Sequence, residues 1–403
     1  MTFLCDGEEV YTYDDLLKSL NNERVYYPYY KAPDLYSYFV NLIKGLVSSC
    51  PLILIDSDIN PSEVNGLDER LINVPQRCEN VFTCIEEVLD AVRKSSSTIT
   101  IFTSGTTGQP KKVTHTMSTL TRSVRIGDKY KGQIWAFAYN PTHMAGLQVF
   151  FQAFENQNTM INVFNQPREY VLHEIKEKGI THISATPTFY RLLLPIECTY
   201  NNVVRVTLGG EKSDDNLYES IKQIFPNSKI NNVYASTEAG SLFAAKGDCF
   251  QIPKQIRNKF LVEDDELLIH RSLLGHSDGF DFSDDYYHSG DLIEWVNENE
   301  GIFRFKSRKN ELINVGGYKV NPGEVEMRIL SITGVHQALV YGKANSILGN
   351  ILCADIVLEA GVDLTELEIK KILSAQLQDF KVPRRIKFVR EISLTRTGKI
   401  KRQ

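Results

Sequence analysis

Short apolar runs rich in β-branched residues recur along the chain, and between them lie stretches whose apolar positions return every three or four residues. The runs at 51–56 (Pro-Leu-Ile-Leu-Ile-Asp, finishing in an acid), 98–103, 134–139, 160–164, 182–185 and 203–208 predict buried strands. The stretch 81–94 carries Val81, Ile85, Val88, Leu89 and Val92 on one face and predicts an amphipathic helix. Helices are also predicted at 170–178 and 216–225, and a helix start at Tyr13. Strand alternating with helix is the pattern of a layered α/β fold with a mostly parallel sheet, whose ligands collect beyond the carboxyl ends of its strands. Residues able to do chemistry stand at those ends: His143 after one strand, Gly209-Gly210-Glu211 after another, and 234–240 after a third.

The pattern changes twice further on. Across 260–306, short apolar runs at 267–270, 292–296 and 302–305 are joined by Asp/Asn/Gly turns, which predicts a small antiparallel β subdomain. Beyond Arg308 a helix is predicted at 322–332 and strands at 338–341 and 351–358, while Thr365-Glu-Leu-Glu368 is a capping box that opens another helix. Residues 309–403 thus form a compact α+β domain of about 95 residues after a large domain spanning 1–308, with 307–311 as linker. Tyr26-Tyr27-Pro28-Tyr29-Tyr30 reads as aromatic packing on a surface loop.

The stretch 98–113 has the most specific character. Its strand breaks into Thr103-Ser104-Gly105-Thr106-Thr107-Gly108 and ends at Pro110-Lys111. Glycines free the backbone to turn its N–H groups inward, the hydroxyls add donors, and Lys111 adds a point charge, a combination that holds phosphate oxygens. Only two residues separate the glycines, so it is not a Walker loop. Taken alone, the same stretch also suits a Ser/Thr-rich surface turn.

Composition narrows the classes. At 403 residues, with 42% hydrophobic and 24% charged residues, the chain is a globular protein of two or three domains. A net charge of −5 favours no polyanionic partner, and the basic tail lacks the interleaved aromatics of a nucleic-acid binder. No apolar run reaches the ~18 residues of a membrane span, and the acidic start is no secretory signal. Seven scattered cysteines with no C-x-x-C neither staple a fold nor bind zinc, which points to a reducing cytoplasm.

Several separate stretches now fit one pattern. From about residue 98 to its end the chain resembles the adenylate-forming superfamily: acyl-CoA synthetases, the adenylation domains of non-ribosomal peptide synthetases, and luciferases. Thr103 to Lys111 resembles the family's phosphate loop. Asn140-Pro-Thr-His143-Met-Ala-Gly146-Leu147 resembles the His-x-x-Gly-Leu motif that lines the acid pocket. Tyr234-Ala-Ser-Thr237-Glu238 is similar to the adenine and magnesium motif, and His288-Ser-Gly290-Asp291 to the ribose motif. Arg308 with Gly316-Gly317 is similar to the hinge and its following loop, and Leu394-Thr-Arg-Thr-Gly398-Lys399-Ile400 to the terminal catalytic-lysine motif.

The resemblance implies an ATP-dependent carboxylic acid ligase. A carboxylate oxygen attacks the α-phosphorus of ATP, expels pyrophosphate, and the acyl-adenylate passes its acyl group to a thiol. Two anions must meet, so positioning and cations carry the catalysis. In that scheme Glu238 holds Mg2+, Tyr234 stacks on adenine and Thr237 donates to the α-phosphate. Asp291 accepts from both ribose hydroxyls, while Arg308 reaches ribose or phosphate. Gly209, Gly210 and Glu211 lie along the purine, and His143 gates the acid pocket or helps neutralise the acid. Lys399 bridges substrate carboxylate and α-phosphate in the adenylation step; on its own, a run with nine Lys/Arg and one acid over 380–403 also suits a solvated basic tail. The small domain would rotate about Asn310 to exchange Lys399 for the Gly316-Gly317 loop. The thiol is that of coenzyme A or of carrier-protein phosphopantetheine, with coenzyme A favoured because no carrier domain is fused.

The chain departs from the family at Lys112, Ala235, Ser307 and Asn310, and its lead before the phosphate loop is shorter than usual; none of these removes a charge the chemistry needs. Amino-acid-activating relatives carry an aspartate where this chain has Asn140-Pro141-Thr142, which disfavours an α-amino acid and favours an aryl or alkyl acid. A non-catalytic nucleotide-binding descendant is the rival reading, against which the retention of Glu238 and Lys399 counts.

Overall fold

The structure is a computed structural model and describes residues 1–56, 67–103, 111–211, 213–315, 318–345 and 349–393. The parallel sheet predicted from the alternation is present. Lys229–Ser236, Arg205–Gly209, His182–Ala185, Ile134–Phe137, Thr159–Asn162 and Thr2–Asp6 lie side by side in one direction, and Glu9–Thr12 closes the edge as an antiparallel hairpin. Successive side chains of a strand point to opposite faces, and both faces here are apolar. Phe137 and Met160 face the helices Tyr13–Asn21, Leu35–Val47, Ile85–Arg93 and Met144–Phe154. Ala136 and Ile161 face Arg168–Glu177 and Asp215–Ile224. Phe39 stacks on Phe150 at 4.7 Å and meets Phe137 edge-on at 5.4 Å, locking two of these helices to the sheet.

The antiparallel strands expected over 260–306 are present and continue the large sheet. Lys229–Ser236 turns back into Gly240–Lys246, and the ladder runs on through Cys249–Gln251, Ile302–Arg308, Tyr286–Asn297, Glu266–His270 and Phe260–Glu263. The hairpin 229–246 is the joint between the parallel and antiparallel halves. Tyr234, placed by the sequence in a loop, is therefore inside a strand, and only 237–239 form the turn.

A second sheet joins Tyr29–Tyr30, Leu52–Leu54 and Thr98–Thr103 in parallel, with Lys111–Thr116 returning antiparallel to Thr98–Thr103. Its side chains Leu52, Ile99, Ile101 and Val113 belong to the same apolar core as the first helices. Toward the carboxyl terminus, Val335–Asn345, Gly349–Leu358, Ile313–Val315, Tyr318–Val320 and Arg385–Phe388 form a separate five-stranded sheet. Helices Pro322–Leu330 and Glu366–Ser374 cover it with Val325, Ile329, Ile369 and Leu373. Both halves of the Thr365–Glu368 capping box form. No helix among the described residues is long and apolar enough to cross a membrane, and all seven cysteines are free.

Candidate active site

One cluster forms where the antiparallel strands Tyr286–Asn297 and Ile302–Arg308 place Asp291 directly opposite Arg308. Asp291 is 3% exposed; its Oδ1 accepts from Arg308 Nε at 2.9 Å, and its Oδ2 accepts a very short hydrogen bond from the Tyr234 hydroxyl. The Asp291 carboxylate holds the Arg308 guanidinium well above its ordinary range. Burial, then the charge of Asp291, pushes the Tyr234 phenol far up, so the hydroxyl stays protonated and donates. One face of the Tyr234 ring is covered by Phe243, stacked at 5.0 Å.

The segment of strand that carries Asp291 is held by Glu266, which sequence reasoning missed. Glu266 is 3% exposed and accepts from the Gly290 N–H at 2.8 Å, from Lys309 Nζ at 3.0 Å and from His288 Nδ1 at 3.3 Å. Burial works to raise this carboxyl, yet Lys309, the Gly290 N–H and His288 hold it below the usual value. Gly290 has φ +73°, a conformation that favours glycine. Tyr287, on the same strand, lies in the combined field of Glu238, Arg308, Asp291 and Glu266.

The Thr237–Ala239 turn brings Glu238 to this cluster, and the charge of Glu238 also acts on Arg308. Gly240, at φ +67°, closes the turn against the helix Met144–Phe154: a Cβ there would lie 2.9 Å from Gln148 Nε2 and 3.5 Å from Met144 Sδ. The turn thus connects the cluster to the helix that His143 begins.

On that helix's side a second buried carboxylate organises the predicted acid motif. Asp56, 4% exposed, ends the run 51–56 and accepts from Asn140 Nδ2 at 2.7 Å, with His143 Nε2 at 3.4 Å. Asn140 Oδ1 takes the Thr142 N–H at 3.0 Å and hydroxyl at 2.8 Å, and Tyr38 donates to the Pro141 carbonyl at 2.7 Å. Gly146 is required by contact: a Cβ would stand 2.2 Å from the Asn140 carbonyl oxygen. Asp56 was legible as an acid finishing a buried strand; its link to the His143 motif, 84 residues away, was not.

The remaining predicted residues divide. Gly209 ends its strand beneath Val233, whose Cγ2 would be 2.9 Å from a Cβ, and Gly210 has φ +81°. Glu211 is committed to Thr188: its Oε2 accepts the Thr188 N–H at 3.0 Å and hydroxyl at 2.7 Å. Thr103 and Lys111 are paired backbone positions at the ends of their strands. Ser104, Gly105, Thr106, Thr107, Gly108, Gly316, Gly317 and Lys399 lie outside the described residues. Among the described residues no group of three or more His, Cys, Asp or Glu side chains is placed to hold a metal by itself.

This architecture, a parallel sheet continued by an antiparallel half and followed by a small α+β unit, is that of adenylate-forming enzymes. The chain belongs to the AMP-binding enzyme family: the family's model matches residues 51–260, and that of its C-terminal domain matches 324–399. It is 26% identical over 347 residues to 4-hydroxybutyrate–CoA ligase 1 of Metallosphaera sedula, covering 75% of this chain and 61% of that one. It is 28% identical over 328 residues to 2-succinylbenzoate–CoA ligase of Staphylococcus aureus, covering 75% of this chain and 65% of that one. The matches thus span less than two thirds of these relatives' lengths. Among solved structures, o-succinylbenzoate CoA synthetase of Bacillus subtilis with its acyl-adenylate intermediate superposes with a TM-score of 0.72 at 17% identity, over 99% of this chain and 94% of that one. ATP-bound MatB of Rhodopseudomonas palustris does so with a TM-score of 0.74 at 15% identity, over the same shares.

Proposed function

We propose that this protein activates a carboxylic acid with ATP and transfers the acyl group to the thiol of coenzyme A. The observation that carries the reading is the convergence of Tyr234, Glu238, Asp291 and Arg308, drawn from motifs far apart in sequence, onto one cluster joined by the 237–240 turn to the helix of His143. Asp291 accepts the ribose hydroxyls, since an ionised carboxylate has lone pairs beyond those used by Arg308 and Tyr234. Tyr234 and the Gly209-Gly210 backbone flank the adenine, with Glu211 bracing that segment through Thr188. Thr237 donates to the α-phosphate, and the loop from Thr103 to Lys111 holds the outer phosphates.

A lone carboxylate such as Glu238 would hold Mg2+, a hard cation that takes one or two protein carboxylates beside a nucleotide's phosphates. When bound, the metal neutralises phosphate charge. In the first step a carboxylate oxygen bonds to the α-phosphorus, the bond to the bridging oxygen breaks, and pyrophosphate leaves with that electron pair. Lys399 offsets the charge gathered between the two anions. In the second step the thiolate bonds to the acyl carbon and AMP leaves. We assign the first step to residues 1–308 together with Lys399. The second follows rotation of a mobile 309–403 domain that presents Gly316 and Gly317. The substrate is an aryl or alkyl acid, a reading supported by Asn140-Pro141-Thr142 standing where amino-acid-activating relatives carry an aspartate.

The test is ATP–pyrophosphate exchange over a panel of aryl and alkyl acids, with Lys399→Ala alongside. Exchange stimulated by one acid and abolished in the variant is the expected result. ATP binding without exchange on any acid would favour a non-catalytic nucleotide-binding protein. Thioester formation with coenzyme A, set against a phosphopantetheine carrier, identifies the acceptor.

A further inference from the structure

Three consecutive carbonyls of the Thr237–Ala239 turn are each held by a different group. The Thr237 oxygen faces His115 Nε2 at 2.8 Å, and the Glu238 oxygen accepts the Gly275 N–H at 2.8 Å. The Ala239 oxygen accepts from the Arg122 guanidinium at 3.3 Å, whose other terminal nitrogen donates to the Leu273 carbonyl at 3.0 Å. A peptide plane is fixed once its carbonyl is fixed. Three in a row therefore set φ and ψ at both Glu238 and Ala239, and with them the direction in which the Glu238 side chain leaves the backbone.

His115 is the buried member of this set. It lies on Lys111–Thr116, the strand that leads out of the 104–110 segment, and is 0% exposed. A carbonyl can only accept, so Nε2 carries the proton, while Nδ1 faces the Thr119 hydroxyl at 3.2 Å. The ring is also wedged: a Cβ on Gly275 would lie 2.6 Å from its Cε1 and 2.8 Å from its Nδ1. The same strand is bridged to the 275 segment by paired hydrogen bonds between Thr114 and His276, at 2.8 and 2.7 Å. One short stretch, 111–122, thus grips the turn from His115 and Arg122, and grips the loop that holds the turn's middle carbonyl.

We infer that His115, assisted by Arg122, is a positioning residue that aims Glu238 at the metal-bound phosphates and ties that turn to the strand Lys111–Thr116. The inference rests on the proposed ATP-dependent reading but does not need the acid or the thiol to be known. A loosened turn should spoil the metal-dependent part of nucleotide binding and spare the part owed to the ribose, which Asp291 supplies from Tyr286–Asn297, and to the adenine, which Tyr234 supplies from inside the strand that precedes the turn.

The test compares affinity for ATP with magnesium and for ATP in excess chelator, by calorimetric titration of the full chain. His115→Leu fills the space without a donor, His115→Gln keeps an amide near the Nε2 position, and Arg122→Met loosens the outer grip. Leucine should lower the Mg-ATP affinity about tenfold or more, as loss of one buried hydrogen bond allows, with metal-free ATP affinity moving less than about twofold. Glutamine should restore most of the loss, and Arg122→Met should show a shift of about threefold in the same sense. Equal loss of both affinities, or a glutamine variant as impaired as leucine, would overturn the inference. If His115→Leu does not fold, the Gln and Arg122→Met ratios decide alone: no selective magnesium effect in Arg122→Met overturns it. Wild type that binds Mg-ATP but exchanges no pyrophosphate would remove the ligase reading and leave this positioning role standing on the affinity ratio.

Discussion

On one side of the site a buried carboxylate, Asp291, is met by a guanidinium and a phenol; on the other, Asp56 is met by an amide and an imidazole. The two differ in what holds the charge. Arg308 is cationic at every working pH, so the Asp291 side carries a fixed ion pair, which in the proposed reading is pre-set for a ligand whose hydroxyls are neutral. The hydrogen bond that Asn140 gives Asp56 carries no charge of its own, and the His143 imidazole stands at 3.4 Å. If the division is real, substitutions on the two sides should separate kinetically. Asp291→Asn should have the largest effect: it strands the Arg308 guanidinium and removes the ribose acceptor, raising the KM for ATP by about a hundredfold or more. The KM for the acid should stay within about threefold. Pyrophosphate-exchange kinetics read both constants, and equal movement of the two would break the comparison.

Between the sides stands the turn held by His115, and its pH response is the next effect in size. Burial, more than the nearby Arg122 charge, pushes the His115 pKa down to about 4, and its ring faces Thr119, Thr237 and Gly275, none of which titrates. The unfolded chain takes up this proton near pH 6.5, the folded protein only near 4. The stabilisation is therefore complete above about pH 6.5 and is lost as pH falls toward about 4, to a total of about 3 kcal/mol. Urea unfolding at pH values across this window should show the decline, and His115→Gln should flatten it. An unchanged slope in the glutamine protein would mean that other groups dominate.

Asp291, Arg308, Tyr234 and Glu238 were legible in the sequence because each stands in a short run of distinctive chemistry, and the strands because β-branched runs mark buried parallel positions. The helix Met144–Phe154 was not: eight of its eleven residues are buried, so it lacks the one-sided stripe that reveals a surface helix. Lys111–Thr116 escaped notice because Lys-Lys-Val-Thr-His-Thr reads as polar, although its alternate members Val113 and His115 are wholly buried. Glu266 and His115 gave no local signal. Their partners lie 24 and 122 residues away, and only the tertiary fold shows that a lone glutamate meets the Gly290 N–H beside Asp291 and a lone histidine the Thr237 carbonyl beside Glu238. Motif residues are visible from spacing; the groups that aim them are visible only from contact.

The acid side is sharpened by Asp56→Asn, which keeps the shape and removes the charge. Asn140 can still hydrogen-bond there, but His143 loses its anionic partner. The expected result is a KM for the acid raised about tenfold, the lower range for a buried charged hydrogen bond, with the KM for ATP within about twofold. The reverse pattern would place Asp56 on the nucleotide's side of the divide.

The smallest effect is expected from Tyr234→Phe, which leaves the ring against Phe243 and deletes one donor to Asp291. Arg308 still holds Oδ1, and a bound ribose hydroxyl can replace the phenol at Oδ2, so the loss should be felt more without nucleotide than with it. Stability of the free protein should fall by about 1 kcal/mol, the worth of an ordinary hydrogen bond. Saturating ATP should recover part of that fall, because a ligand that satisfies the vacated lone pair binds the variant at little extra cost. Paired melting curves with and without ATP read the difference directly. A variant that loses the same stability in both states would mean that the ribose never reaches Oδ2. The Asp291–Tyr234 bond would then serve the sheet rather than the nucleotide.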